Sequence, residues 1–92
     1  MKVIGREELF LFKKKHSDAR SQIDSWEAEV DNAEWENTQD IKQRYAQASF
    51  LAKNNVVFNI KGNRYRLLVQ VNYKNKIVLV KKVGTHEEYS KW

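Results

Sequence analysis

The hydrophobic periodicity of this 92-residue chain changes once, at Asn54-Asn55, and that change limits what it can fold into. Before it, Ala19, Ile23, Trp26, Val30 and Ala33 recur at spacings of four, three, four and three, the stripe of an amphipathic helix. After it, Tyr65, Leu67, Val69, Val71 and Tyr73 alternate as one face of a half-buried strand. A helical half therefore precedes a β half. Each has one apolar face, and the two faces can bury each other.

In the helical half, Met1 to Ile4 can form a short strand, and Gly5 allows the turn into a helix over about residues 6–15. Leu9, Phe10, Leu11 and Phe12 give that helix a broad apolar face, and Lys13-Lys14-Lys15-His16 supplies the cations that a helix C-terminus favours. Ser17 is placed to cap the stripe-bearing second helix, and Thr38 to cap a short third helix near residues 39–45 with Asp40 in its first turn. In the β half, residues 56–60 are β-rich and Lys61-Gly62-Asn63 is turn chemistry. A second hairpin turn falls within Tyr73 to Lys76, and Ile77 to Val83 forms the last strand. Gly84-Thr85 then releases the chain into a terminal helical turn reaching Trp92. The order β-α-α-(α)-β-β-β-α predicts one α+β domain over residues 1–92, its helices packed on one face of an antiparallel C-terminal sheet. A chain of this length holds one core and has no room for a cofactor domain.

Charge is divided in the same way. Residues 1–40 hold six Lys and Arg against ten Asp and Glu, a net −4, whereas residues 41–92 hold eleven against two, a net +9. So few acids in the second half exceeds what protection of strand edges requires, and it implies salt-dependent attraction of a polyanion. The absence of cysteine excludes a disulfide framework, a thiolate metal site and a Cys nucleophile, and it suits a reducing cytosol. No apolar run approaches the roughly eighteen residues of a membrane span, and Met-Lys-Val-Ile meets charge too soon for a signal peptide. A soluble cytoplasmic protein without membrane contact is expected.

The chemistry-bearing residues lie in the basic half. If Tyr65, Leu67 and Val69 face the core, Arg64 and Arg66 point together to the other side. A guanidinium binds two phosphate oxygens through a planar fork and keeps its proton near neutral pH, so it acts as an electrostatic stabiliser. The competing role, an ion pair with an acid of the helices, is stronger for Arg64 than for Arg66. His86 follows Thr85, a fair N-cap, where a helix N-terminus can meet a phosphate and favours a neutral, proton-accepting imidazole. Tyr89 lies one helical turn later, on the same face. A histidine or a tyrosine alone at such a place is more often structural; the combination is what points to phosphodiester cleavage. RNA carries its own nucleophile, the 2′-OH, which needs a base, an acid and cations but no metal. Consistently, the sequence shows no acidic cluster for Mg²⁺ and only two histidines, His16 and His86, far apart.

Val57-Phe58-Asn59-Ile60, Gly62-Asn63, Tyr65-Arg66-Leu67 and Gly84-Thr85-His86 with Glu88-Tyr89 together resemble the HigB-type toxins of the RelE/ParE superfamily. Trp26, Ala33-Glu34-Trp35, Asp40-Ile41-Lys42 and Ala48-Ser49 are similar to that family's helical half. The resemblance implies a RelE-like microbial ribonuclease fold and an mRNA interferase acting on the 70S ribosome without a cofactor. It also implies neutralisation by a cognate HigA-type helix-turn-helix antitoxin, through which alone the toxin would meet operator DNA. By position, Arg66 would stabilise the phosphorane, His86 would be general base or acid, and Tyr89 would hold the scissile nucleotide. Lys61, Arg64 and one of Lys81 or Lys82 would hold the RNA backbone. Two departures stand out: Ser90 where an Asp commonly follows the tyrosine, and no proline near Gln47. Two other classes compete. One is a gyrase-poisoning toxin of the ParE branch, which the His86/Tyr89 pair disfavours. The other is a non-catalytic RNA- or ribosome-binding module, for which stacking aromatics on an exposed strand would be expected.

Overall fold

In the computed structural model, which describes residues 1–92, strand β1 (Lys2–Ile4) leads into helices α1 (Arg6–Lys15), α2 (Arg20–Asn32) and α3 (Thr38–Arg44). Strands β2 (Ser49–Phe50), β3 (Asn55–Ile60), β4 (Tyr65–Asn72) and β5 (Ile77–Thr85) follow, and helix α4 (His86–Tyr89) closes the series. The strands form one sheet in the order β1-β5-β4-β3-β2. β2 to β5 pair antiparallel, and β1 returns parallel to β5 at the edge. The α+β class and the antiparallel C-terminal strands agree with the sequence expectation; the two-residue β2 was not expected.

The core lies between α1–α3 and one sheet face, where the expected alternation appears: Tyr65, Leu67, Val69 and Val71 are buried while Arg66, Leu68 and Gln70 are not. Leu9, Phe12, Ala19, Ile23, Trp26, Val30 and Ile41 meet them from the helices. Gly5 enables this packing. It starts α1 at φ 90°, and a Cβ there would stand 2.8 Å from the carbonyl oxygen of Val80. Only glycine combines that backbone angle with so close an approach.

Three local expectations are corrected. Phe10 and Leu11 do not join the apolar face of α1; both are more than half exposed, because four successive residues cannot share one side of a helix. Ser17 does not cap α2 but opens a 3₁₀ turn, Ser17–Ala19, that leads into it. Asn37, not Thr38, caps α3, accepting the Asp40 N–H at 3.2 Å from an extended backbone. Asparagine ranks above threonine as an N-cap, so Asn37 takes the position and Thr38 becomes the first helical residue.

Half of the ten acids of residues 1–40 form ion pairs inside the molecule. Arg6 bridges Glu27 and Asp31, Lys13 bridges Asp24 and Glu27, and Arg44 pairs with Glu29. These pairs tie α1 and α3 to α2. Most are exposed, so solvent screening leaves each of them little net stabilisation.

Candidate nucleotide site on the open sheet face

The sheet face turned away from the helices carries Arg66, Leu68 and Gln70 of β4, with Gly84 and Lys82 of β5 paired opposite Arg66 and Leu68. Between Leu68 and Val69 the β4–β5 ladder shifts. Lys82 pairs with Leu68 and Val80 with Val69, leaving Lys81 as the extra residue of a β-bulge. The bulge settles which lysine shares the face of Arg66: both do. Lys82 lies in register on that face, and Lys81 reaches the side-chain oxygen of Asn55, opposite Gln70, at 3.3 Å.

At the end of β5 the chain turns onto this face through α4. Thr85 is the N-cap, as expected, and forms a reciprocal capping box. Its hydroxyl accepts the Glu88 N–H at 3.2 Å, and Glu88 accepts the Thr85 N–H at 2.8 Å. That backbone hydrogen bond, ahead of others, holds the Glu88 carboxyl below its usual range. The His86 N–H donates to the carbonyl of Arg64 at 3.0 Å. The first helical turn therefore spends its N–H groups internally at His86 and Glu88, and the Glu88 carboxylate takes the Thr85 N–H, so these three donors are not free for the phosphate expected there.

The candidate side chains stand over this end of the sheet. The Arg66 guanidinium lies 5.3 Å from the centre of the Tyr89 ring, a cation–π contact, and donates once, to the Asn63 carbonyl at 2.9 Å. No other protein acceptor meets it. His86 and Tyr89 rings lie 6.5 Å apart at 29°, so they share a face as their spacing requires. Neither the imidazole nor the phenol hydroxyl hydrogen-bonds within the protein, so the polar atoms of both side chains are free for a ligand. Arg66, His86 and Tyr89 are thus brought together, with Lys82 and Lys81 extending the positive charge along the strand.

Arg64 departs from expectation. It sits in the turn before β4, not on the face of Arg66, and its guanidinium pairs with Asp18 at 3.0 Å on the helical side. The Tyr65 hydroxyl donates to the same carboxylate at 2.7 Å. Tyr65 first, then Arg64, holds the Asp18 carboxyl below its ordinary range. The helix-pairing role weighed for Arg64 is the one it takes. Lys61 is exposed in the same turn, its backbone N–H bound to the side-chain oxygen of Gln22.

One member of the cluster escaped the sequence reading. Trp92 is 39% exposed, lies edge-on to Tyr89 at 5.4 Å and 79°, and has the Lys82 ammonium 5.8 Å from its ring. The signal was present as the three-residue spacing of His86, Tyr89 and Trp92. No group of three or more His, Cys, Asp or Glu side chains is placed to hold a metal ion, and no helix is long and apolar enough to cross a membrane.

A small α+β domain with a basic, aromatic open face fits a class of compact toxins, and the family comparison agrees. The sequence model of the HigB toxin family, described as the RelE-like toxic component of a toxin–antitoxin system, matches residues 19–92. The chain belongs to that family. No curated protein matches it.

Proposed function

We propose that this toxin is a metal-independent endoribonuclease that cleaves mRNA on the ribosome. What supports the reading is that Arg66, His86 and Tyr89 meet on one open face while their polar side-chain groups are left almost wholly unused by the fold. In the reaction the 2′-oxygen of the substrate loses its proton to a base and attacks the adjacent phosphorus. The bond to the 5′-oxygen breaks, that oxygen takes a proton, and the products are a 2′,3′-cyclic phosphate and a 5′-hydroxyl end. Arg66 stabilises the charge on the phosphorane oxygens. His86 serves as base or acid, and Tyr89 holds the nucleotide at the scissile bond. Lys61, Lys81 and Lys82 bind the flanking backbone, whereas Arg64 braces the turn from which Arg66 emerges. A HigA-type antitoxin encoded beside the toxin restrains it.

Mapping 5′ ends of cellular transcripts after brief induction without the antitoxin tests this reading. New 5′-hydroxyl ends inside coding regions are expected. Intact mRNA beside relaxed or broken chromosomal DNA would overturn it in favour of a gyrase target.

A further inference from the structure

Of the three tryptophans, Trp26 and Trp35 are buried at 2% and 6%, and Trp92 alone stays open to solvent. Its place is prepared by the sheet. Gly84 lies opposite Arg66, and a Cβ on Gly84 would come within 3.2 Å of the Trp92 ring and 3.1 Å of the Glu88 carboxylate. A Cβ at position 84 would thus force the indole to give by a few tenths of an ångström; glycine lets it rest directly on the strand. The exposed indole is then framed by Tyr89 edge-on at 5.4 Å and by Lys82 at 5.8 Å.

Arg66 and Lys82 are diagonal neighbours on one face, a separation of roughly 7–8 Å by ladder geometry. Two successive phosphates of an extended nucleic-acid strand are spaced comparably. Each cation therefore has an aromatic partner: Arg66 with Tyr89, and Lys82 with Trp92. From this pairing we propose that Trp92 and Lys82 form a second nucleotide subsite beside the Arg66/Tyr89 site. Trp92 stacks the base of the nucleotide next to the scissile one, and Lys82 neutralises its phosphate. The inference rests on the endoribonuclease reading and deepens it: the substrate is a single strand with at least two unstacked bases at the site. Stacking on an indole accepts any base, so this subsite adds affinity and register rather than base choice.

The test uses the full chain and a short single-stranded RNA whose 2′-hydroxyls are replaced by 2′-O-methyl groups, so that binding is read without cleavage. Because the other two indoles are buried, quenching of tryptophan fluorescence on titration reports on Trp92. Quenching that disappears in Trp92→Leu is expected, with binding weakened about ten-fold or more, the scale of one lost stacking contact. Trp92→Tyr should restore most of the affinity. Leucine still covers Gly84, so a role confined to packing would leave Trp92→Leu binding as wild type; that result, or no quenching in the wild-type protein, overturns the proposal. Cleavage of the unmodified RNA is read separately. Wild-type cleavage without quenching sinks the subsite and spares the nuclease, whereas quenching without cleavage sinks the nuclease and spares the subsite.

Discussion

The His86 N–H donates to the Arg64 carbonyl oxygen at 3.0 Å, and this bond fastens the helical turn carrying the imidazole to the turn preceding Arg66. The segment is anchored at its other end, because Arg64 and Tyr65 both engage Asp18. An acid of the helical half thereby supports the position of a residue in the basic half. This explains why Arg64, though cationic and close to the site, is not free for the nucleic acid in the way Arg66 is.

Asp18 should make stability pH dependent on the acid side. Its carboxyl is held below the ordinary value of 3.8, first by the Tyr65 hydroxyl and then by Arg64, and Glu29 and Glu88 shift in the same direction. Between folded and unfolded values the unfolded chain binds more protons, so stability rises with pH there. The contribution is complete above the unfolded carboxylate range and is lost as pH falls through the folded values. Thermal midpoints measured from neutral pH downward should fall steeply for the wild type and less steeply for Asp18→Asn. Parallel curves for the two proteins would contradict this role.

Substitution at the proposed reacting groups should separate activity from folding. General acid–base catalysis contributes roughly 10²- to 10⁴-fold, and loss of an electrostatic donor is of similar size. His86→Ala and Arg66→Ala should each abolish toxicity. Since neither side chain is in the core, the change in stability should stay near 0.5 kcal/mol or less. Cleavage by His86→Ala at the wild-type rate would exclude the mechanism. Tyr89→Phe keeps the ring beneath Arg66 and should be milder than Tyr89→Ala.

Chelation should leave cleavage unchanged. The site's polar groups are a guanidinium, an imidazole, a phenol and ammonium groups, and no set of three metal-ligating side chains is assembled anywhere in the chain. The assay needs a substrate that does not itself require divalent ions. EDTA inhibition reversed by Mg²⁺ would refute the expectation.

The sequence was most informative where structure is set locally. The bounds of α1, the Lys61-Gly62-Asn63 turn, the Thr85 cap and the Tyr65–Val71 alternation each follow from a few adjacent residues, and each is present. What escaped depends on partners distant in the chain. Two adjacent lysines cannot be assigned to faces by alternation when a bulge intervenes, and Lys81 and Lys82 stand at one. For Arg64 an ion pair with a helical acid competes with a place beside Arg66, and only the fold brings up Asp18, forty-six residues earlier, to decide it. Trp92 was passed over because its value lies in what it rests on, the bare backbone of Gly84.

The antitoxin interface can be probed through the same charge pattern. The net −4 of residues 1–40 favours a basic antitoxin segment docking on the helices of residues 6–36, yet Asp18, Asp24, Glu27, Glu29 and Asp31 all pair with cations of the toxin itself. Reversing Glu27 would take from Arg6 and Lys13 one of the two acids each bridges, and reversing Glu29 would strand Arg44, so weaker binding by such variants would mix docking with damage to the fold. Glu7, Glu8 and Glu34 are exposed and make no ion pair within the chain. If the antitoxin docks on the helices, Glu7→Lys, Glu8→Lys and Glu34→Lys combined should weaken the complex in calorimetry and restore toxicity in co-expression, with only the modest fall in melting temperature that follows from removing two acids from the first turn of α1. Arg66→Ala should then bind as wild type. Tight binding by the triple variant together with weak binding by Arg66→Ala would instead place acidic antitoxin residues directly over the cleavage site.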